Sequence, residues 1–267
     1  MKPFCNFCKC TINELTDDTI MDYFDSVLSR NVSKSTYATY MRETKVFLRY
    51  CAEITPVQYN WRSLKVPKAY KKTVYMYNPE EIKTIFDAVK SSEPVIQVRN
   101  VAIIALMLDS GLRQSEVCGL LLKNIRMDER YLIVEGKGDK ERYVPIGNLT
   151  IKAITEYMAV RPQSDLPQLF LSRRGSPLTP NAVKLMCSKI NRQLPFALSS
   201  HRLRHNFATN YCVDSYEDNG NIDVFKLMHV MGHEELETTM LYLHLAYSLI
   251  AAKGGISHLD RLDTMNG

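Results

Sequence analysis

The chain has 267 residues, of which 45% are hydrophobic, and this suits one large folded domain or two smaller ones. Its longest apolar run covers residues 101–108, well short of the roughly 18 residues that a membrane span requires, so we expect no membrane protein. The N terminus lacks the apolar core of a signal peptide and the cysteines number seven, which predicts reduced thiols in a cytoplasmic protein.

The net charge of +5 is concentrated at the N-terminal end of the chain. Residues 1–78 hold 12 Lys/Arg and 7 Asp/Glu, whereas residues 79–267 hold 22 of each. The densest part is WRSLKVPKAYKK at residues 61–72, with five cations and no acid. Such a segment attracts polyanions, and a solvated basic linker without a partner is the alternative interpretation.

The first motif along the chain is CNFCKC, which contains Cys5, Cys8 and Cys10. Three thiolates could bind zinc, but a second Cys/His pair at zinc-finger spacing is missing nearby. We therefore expect no metal at this motif.

Two amphipathic helices are predicted next. The first covers about residues 16–28 and has acids near its start, where they complement the helix dipole. The second begins with Ser33 or Ser35 as its N-cap and carries apolar residues at three- and four-residue steps. We expect a reduced helical N-terminal domain over residues 1–60, followed by a basic linker over residues 61–77.

A second domain is predicted over residues 78–267, beginning with Asn78 as N-cap and Pro79 as the first helical residue. A buried helix over about residues 98–109 should end at Gly111, and two β-rich runs around a Gly-Lys-Gly-Asp-Lys turn predict a hairpin. Further helices are predicted near residues 149–160, 180–193, 201–212, 222–231 and 236–250. The expected fold class is mainly α with a small antiparallel β-sheet (α+β).

The stretch SHRLRHNFATNY places His201, Arg204 and His205 on one side of a predicted helix. A metal site, a phosphate site and a solvated face are the three interpretations. The metal interpretation is weak because the glutamate of a His-Glu-x-x-His motif is missing and two arginines, whose charge cannot be removed, stand beside the histidines. A guanidinium group instead favours phosphate, since it presents a planar fork of N–H donors to two oxygens.

Other groups suited to phosphate chemistry recur along the second domain. Arg113 follows Gly111 in SGLRQSE, and Lys137 lies between glycines in the hairpin turn. His233 follows a glycine in VMGHEE, and Tyr242 comes nine residues later. Taken singly, each has an ordinary structural explanation, such as a helix C-cap cation, a solvated turn residue or a half-buried ring.

The four motifs SGLRQSE, GKGDKERYVPIG, HRLRHNFAT and VMGHEELETTMLYLH, in this order, resemble those of the tyrosine recombinases, the phage-integrase or Xer-like family. The resemblance covers residues 78–244 and implies a tyrosine-recombinase catalytic fold preceded by a short helical DNA-binding domain. It implies a catalytic set of Arg113, Lys137, His201, Arg204, His233 and Tyr242. His205 is expected to pack against or support the site, and His229 and His244 to lie outside it.

This resemblance implies DNA cleavage and rejoining through a 3'-phosphotyrosyl intermediate, without metal, ATP or another cofactor. Arg113 and Arg204 would clamp the scissile phosphate while Tyr242 attacks it, and His201 would accept or orient the phenol proton. Lys137 would protonate the departing 5'-oxygen, and His233 would hydrogen-bond a nonbridging oxygen.

The implied partner is double-stranded DNA that carries a specific recombination site. The protein is expected in the cytoplasm, associated with the nucleoid, as a tetramer on two duplexes with accessory DNA-bending proteins as further partners. The N-terminal domain would form the smaller arm of a clamp around DNA. The expected DNA-binding residues are Ser33, Lys34, Ser35, Thr36, Tyr40, Arg62, Lys65, Lys68, Lys71 and Lys72, with helix capping as the alternative role for those near residue 33.

Three segments depart from or extend this pattern. The N-terminal domain has fewer predicted helices than the family's usual four or more, and the acidic stretch over residues 214–223 is expected on the outer surface. The tail over residues 245–267, with residues 256–262 as a candidate helix, is expected either to pass to a neighbouring protomer or to fold on its own domain. The rival functions are a type IB topoisomerase-like enzyme, a catalytically idle DNA-binding regulator and, more remotely, a metal-dependent hydrolase.

Overall fold

The computed structural model describes residues 2–68, 75–91, 93–136 and 140–253. Its contacts divide the chain into two units, residues 1–72 and residues 73–267. Across the described residues, no helix combines the length and hydropathy needed to cross a bilayer.

Three helices form the described part of the first unit: α1 (Lys2–Cys8), α2 (Asp17–Leu28) and α3 (Lys34–Ile54). Thr16 and Ser33 cap α2 and α3 by accepting hydrogen bonds from backbone N–H groups three residues later. The apolar faces of the two longer helices enclose a core around Tyr23, Phe24 and Leu48. Helix α1 was not predicted, because its seven residues bury only one side chain and so show no helical period.

The start of the predicted basic linker packs against this same core. A short 3-10 helix, Trp61–Ser63, is followed by Leu64, which is buried, and by Val66, which is partly buried. The ammonium group of Lys45 donates a 2.7 Å hydrogen bond to the carbonyl oxygen of Leu64. These contacts hold residues 61–66 against the first unit.

The described part of the second unit is mainly helical. Its helices are α4 (Pro79–Ala88), α5 (Pro94–Ser110), α6 (Gln114–Gly119), α7 (Asn148–Val160), α8 (Pro180–Asn191), α9 (Ser200–Asn219), α10 (Val224–Met231) and α11 (Leu236–Lys253). Helix α5 packs against α7 and α9, and its residues 101–108 are apolar on every side because this stretch lies in the middle of the core.

One antiparallel sheet accompanies these helices, in the order β1 (Ile125–Arg126), β2 (Tyr131–Glu135) and β3 (Glu141–Pro145). The register pairs Leu132 with Val144 and Val134 with Arg142, and all four side chains are buried. The predicted fold class, mainly α with a small antiparallel sheet, is confirmed. The sequence did not predict β1, since two residues show no alternation.

Helix α9 is longer than the sequence predicted. The expected end was near residue 212, but the helix runs to Asn219 and ends at Gly220, which has a φ of 67°. Most of the acidic stretch is therefore the last turns of this helix, and its side chains are largely exposed. Charged residues at exposed helical positions interrupt the apolar pattern without ending the helix.

Two glycines set the positions of the candidate site residues. Gly111 ends α5 with a φ of 62°, and Gly232 ends α10 with a φ of 62°. Glycine adopts this left-handed conformation without the steric cost that a side chain adds. The chain can therefore turn sharply after each helix, and Arg113 and His233 follow directly after the two turns.

Gly111→Ala should destabilise the protein more than Gly220→Ala. Both glycines are left-handed helix C-caps, so each substitution costs about 1–2 kcal/mol in backbone strain. A Cβ at position 111 would also lie 2.3 Å from a ring carbon of Phe207, whereas nothing lies within 4 Å of a Cβ at position 220. The clash should add roughly 1–3 kcal/mol.

Urea unfolding followed by far-UV circular dichroism measures both losses. Equal losses for the two variants would show that the Phe207 ring yields without cost, and would contradict this explanation.

Candidate active site

Arg204 lies at the centre of the candidate site, one turn into α9. Its side chain is buried, and its two terminal nitrogens donate hydrogen bonds to the carbonyl oxygens of Gly111, at 2.5 Å, and of Met231, at 2.6 Å. Burial, aided by the neighbouring charge of Arg113, lowers the pKa of Arg204 to about 10, so the guanidinium stays charged at neutral pH. This single side chain connects the ends of α5 and α10.

Arg113 occupies the N-cap position of α6, and its side chain is 41% exposed. One terminal nitrogen lies 2.8 Å from a carboxylate oxygen of Glu116, and the other donates a 2.9 Å hydrogen bond to the carbonyl oxygen of Gly232. The exposed part of the group remains available to a ligand from solvent.

The sequence analysis did not identify Glu116 and Arg142 as parts of this site. Glu116 accepts hydrogen bonds from both terminal nitrogens of Arg142, at 3.0 and 2.9 Å, and lies 3.8 Å from Arg204. Burial alone would raise the pKa of Glu116, but the hydrogen bonds and charge of Arg142, together with the hydrogen bonds from Arg113, hold it below its usual range. One carboxylate therefore lies close to three guanidinium groups and partly compensates their charge.

A signal for Arg142 was present in the strand pattern. Alternation along β3 places Arg142 on the same side as Val144, toward the core, and a charged side chain there needs a buried partner. The pattern identifies the buried arginine, but it does not identify which acid lies across from it.

His233 is held by two hydrogen bonds. Its Nε2 lies 3.1 Å from a terminal nitrogen of Arg204, and its Nδ1 lies 2.9 Å from the hydroxyl of Thr239, which is buried. Because guanidinium only donates, Nε2 accepts, and the neutral ring carries its proton on Nδ1. Burial and the nearby charges of Arg204 and Arg113 lower the pKa of His233 to about 4, which keeps the ring neutral.

Tyr242 lies on α11 and is only 3% exposed. Its hydroxyl is 2.7 Å from Nδ1 of His205, and its ring stacks on that of His233 with 6.1 Å between centroids. Burial raises the pKa of the phenol, while the charges of Arg204 and Arg113 oppose this increase. Four residues that the sequence assigned to one site, Arg113, Arg204, His233 and Tyr242, thus lie together in the second unit.

The other two predicted catalytic residues are placed differently. His201 is exposed at the start of α9, and within the described part of the chain its side chain makes no hydrogen bond. Lys137 lies outside the described residues. The hairpin residues beside it, Gly136 and Lys140, line a cavity of about 960 Å³ together with Arg113, Glu116 and His233.

Among the described residues, no three His, Cys, Asp or Glu side chains cluster closely enough to hold a metal ion. The four residues gathered here offer positive charge, N–H donors and a phenol. This set can bind an anion such as phosphate and place a nucleophile beside it.

The predicted DNA-binding residues lie in the first unit. Ser33 and Thr36 form the N-cap of α3, where the hydroxyl of Ser33 accepts from the backbone of Thr36, and Tyr40 packs partly against the core. The exposed members of the set are Ser33, Lys34, Ser35, Thr36, Arg62, Lys65 and Lys68. Lys71 and Lys72 lie outside the described residues. The role of these residues in DNA binding stays a prediction.

Residues 76–248, which contain the whole site, match the model of the phage integrase family. The chain belongs to this family. Because its relatives include named tyrosine recombinases, this member of the phage integrase family is a site-specific tyrosine recombinase. These relatives do not favour the topoisomerase-like and idle-regulator alternatives.

Three of the relatives show the extent of the similarity. Tyrosine recombinase XerC of Halalkalibacterium halodurans is 32% identical over 84% of this chain and 76% of its own length. XerC of Actinobacillus pleuropneumoniae serotype 7 is 36% identical over 70% of this chain, which spans 60% of that relative. XerD of Caulobacter vibrioides is 30% identical over 88% of this chain and 79% of its own length.

Solved structures of recombinases share the fold of this family member. XerH bound to a palindromic difH substrate has a TM-score of 0.72 at 19% identity, covering 94% of this chain and 75% of XerH. The Tn1549 transposon integrase in complex with a circular intermediate DNA has a TM-score of 0.71 at 18% identity, covering 90% of this chain and 87% of the integrase.

Arg142→Met should destabilise the recombinase by about 3–5 kcal/mol, because it leaves the buried carboxylate of Glu116 with less compensation. Arg49→Met is the control: Arg49 pairs with Glu53 on the exposed surface of α3, so its loss should cost less than about 1 kcal/mol. Urea unfolding of the full chain at neutral pH measures both.

The pH dependence of stability gives a second readout of the same pair. The pKa of Glu116 is lower in the folded state than in the unfolded state. The stability that ionised Glu116 adds to the fold is therefore fully present above the ordinary carboxyl pKa, and it is lost as pH falls toward the lower pKa of the folded state. Arg142→Met should reduce this acid-side loss. An unchanged dependence on pH would contradict the pairing.

Proposed function

We propose that Arg113, Arg204, His233 and Tyr242 form the active site that cleaves and rejoins DNA. The observation that carries the proposal is the position of Arg204. Its guanidinium lies 3.1 Å from a ring nitrogen of His233, and the ring of Tyr242 stacks on that same His233 ring. The chemistry requires two guanidinium groups and one phenol around the same phosphorus atom, and the proximity of these side chains supports that arrangement.

Positive charge is the first requirement of the reaction. A phosphodiester repels nucleophiles, and attack adds negative charge to its nonbridging oxygens. Arg113 and Arg204 would bind these oxygens and stabilise the five-coordinate transition state more than the ground state. The carbonyl contacts of Arg204 use one N–H on each terminal nitrogen, so further donors of the same planar group remain for phosphate.

Covalent catalysis is the second requirement. Attack by the oxygen of Tyr242 forms the phosphotyrosyl bond and breaks the bond to the 5'-oxygen, which Lys137 would protonate. The ester retains the energy of the broken bond, so a 5'-hydroxyl of another strand can reverse the step without ATP. In this scheme phosphate displaces the hydrogen bond between Arg204 and His233, and the ring proton of His233 moves from Nδ1 to Nε2 while the hydroxyl of Thr239 donates to Nδ1. Nε2 of His233 then donates a hydrogen bond to a nonbridging oxygen.

The proposed partner is double-stranded DNA with a specific recombination site. The solved complexes of XerH and of the Tn1549 integrase contain DNA, and the exposed cations Arg62, Lys65 and Lys68 of this chain suit a phosphate backbone. We extend the proposal to an N-terminal DNA-binding domain over residues 1–60, a basic linker over residues 61–77 and a catalytic domain over residues 78–267.

The protein would act in the cytoplasm, on the nucleoid. It would assemble as a tetramer on two duplexes, and accessory DNA-bending proteins would assist at some sites. Residues 245–253 of the predicted tail 245–267 belong to α11 and pack in the second unit, so the segment that would pass to a neighbouring protomer is residues 254–267. Helix α11 ends at Lys253, whose ammonium lies 3.4 Å from a carboxylate oxygen of Glu217, and residues 254–267 lie outside the described residues.

Tyr242→Phe should abolish the covalent adduct and leave DNA binding intact, because it removes only the attacking oxygen. Tyr247→Phe is a matched control on the same helix, since Tyr247 is 45% exposed and lies outside the site. The probe comes from a randomised library of nicked duplexes. Repeated rounds that recover the duplexes linked covalently to the wild-type protein enrich it, and we call it the trapping duplex. An adduct formed by Tyr242→Phe in a denaturing gel would refute the assignment.

Arg204→Ala should slow cleavage of the trapping duplex by about 100- to 1,000-fold, comparable to the removal of a preorganised oxyanion donor. Arg202→Ala is the control: Arg202 lies on the same helix, but its guanidinium packs over the ring of Tyr75, at 5.6 Å from the centroid. Single-turnover rates measure both, after circular dichroism has established that each variant is folded. Wild-type cleavage by Arg204→Ala would rule out the clamp.

A further inference from the structure

His205 is the residue in direct contact with the nucleophile. Its Nδ1 lies 2.7 Å from the oxygen of Tyr242, and within the described residues that oxygen has no other hydrogen-bond partner. The contact joins α9 to α11, two helices that pack directly against each other. Ala208 and Ala246 are fully buried three and four residues farther along these helices, and such small side chains permit a close approach.

The direction of this hydrogen bond follows from burial. Tyr242 is 3% exposed, and a buried phenol proton needs an acceptor. His205 Nδ1 is the acceptor within reach, so this nitrogen carries no proton and the neutral ring is protonated on Nε2. Burial, with the neighbouring His201 and Arg204, lowers the pKa of His205 and favours this neutral form.

His201 does not have this contact, although sequence reasoning assigned it the phenol proton. The two histidines are four residues apart on the same face of α9, but His201 is exposed and makes no side-chain hydrogen bond within the described residues. The imidazole of His201 is open to solvent. The half-buried imidazole of His205 is placed to meet the nucleophile.

We propose that His205 orients Tyr242 and accepts its proton during strand cleavage. This inference rests on the proposed function of the site. As the Tyr242 oxygen bonds to phosphorus, the phenol proton moves to Nδ1 of His205, and the bond between phosphorus and the 5'-oxygen breaks. The departing 5'-oxygen takes its proton separately, from Lys137 in the scheme above. During rejoining, His205 returns its proton to the phenol oxygen as the 5'-hydroxyl attacks.

Two substitutions separate orientation from proton transfer. His205→Asn places an amide oxygen where Nδ1 stood, so it can accept the hydrogen bond but cannot take the proton. His205→Leu removes both functions. His244→Asn is the matched control, because His244 is an exposed histidine on α11 outside the site.

The measurement is the single-turnover rate of adduct formation on the trapping duplex, with folding checked by circular dichroism and binding by gel shift. We expect His205→Leu to be slower than wild type by on the order of 1,000-fold, within the range for general base catalysis, with DNA binding unchanged. His205→Asn should lie between the two, on the order of 10-fold faster than His205→Leu, because it still orients the phenol. His244→Asn should match the wild type.

A trapping duplex with sulfur in place of the bridging 5'-oxygen identifies the side of the reaction on which His205 acts. The thiolate leaves without a proton, so the rate defect of His205→Leu should persist on this duplex. Disappearance of the defect would assign His205 to the leaving group and overturn the proposal. A rate equal to or above the wild type for folded His205→Leu would also overturn it, since the contact would then be neutral or restraining.

The proposed function can fail separately from this inference. If wild type forms an adduct through Tyr242 but His205→Leu and His205→Asn both react at the wild-type rate, only the role of His205 is refuted. If the wild type forms no adduct on any duplex of the library, the proposed function fails and the role of His205 fails with it.

Discussion

The buried carboxylate of Glu116 is the interaction on which the rest of the site depends. Three guanidinium groups, those of Arg113, Arg142 and Arg204, would repel one another strongly in an environment that excludes water. Glu116 lies within 2.8 to 3.8 Å of all three and so permits them to gather. Removing any of these charges changes the balance for the others, which makes the cluster a single electrostatic unit.

The cluster retains more positive than negative charge, and this has a functional consequence. The three guanidinium groups and the one carboxylate together carry two net positive charges when no ligand is bound. A phosphodiester carries one negative charge and its five-coordinate transition state carries two. In the proposed reaction the site would therefore neutralise the transition state more completely than the bound substrate, which is the condition for catalysis by preorganised charge.

The ends of two helices complete this arrangement. The last carbonyl groups of a helix have no partner within it and carry partial negative charge. At the ends of α5 and α10, the carbonyl oxygens of Gly111, Met231 and Gly232 accept hydrogen bonds from Arg204 and Arg113. The helix ends thus hold the arginines in place, and the arginines satisfy carbonyl groups that would otherwise be buried without partners.

Sequence patterns determined the local structure of this protein. Apolar periodicity, N-cap residues such as Ser33 and Asn78, and the glycines after α5 and α10 predicted most helices and the mainly α fold with its hairpin. Ordered motifs identified the family and the residues Arg113, Arg204 and Tyr242. Periodicity did not predict α1 or β1, since each is too short to repeat, and it ended α9 early because exposed acids interrupt the apolar pattern.

Only the tertiary structure decided which groups touch. The pairs Glu116–Arg142 and His205–Tyr242 are separated by 26 and 37 residues and join different elements. A periodic pattern indicates which face of an element is buried, but not which residue lies across from it, because that depends on how helices pack in three dimensions. The sequence alone thus predicted Tyr242 as the nucleophile, and the packing of α9 against α11 placed His205, rather than His201, beside that residue.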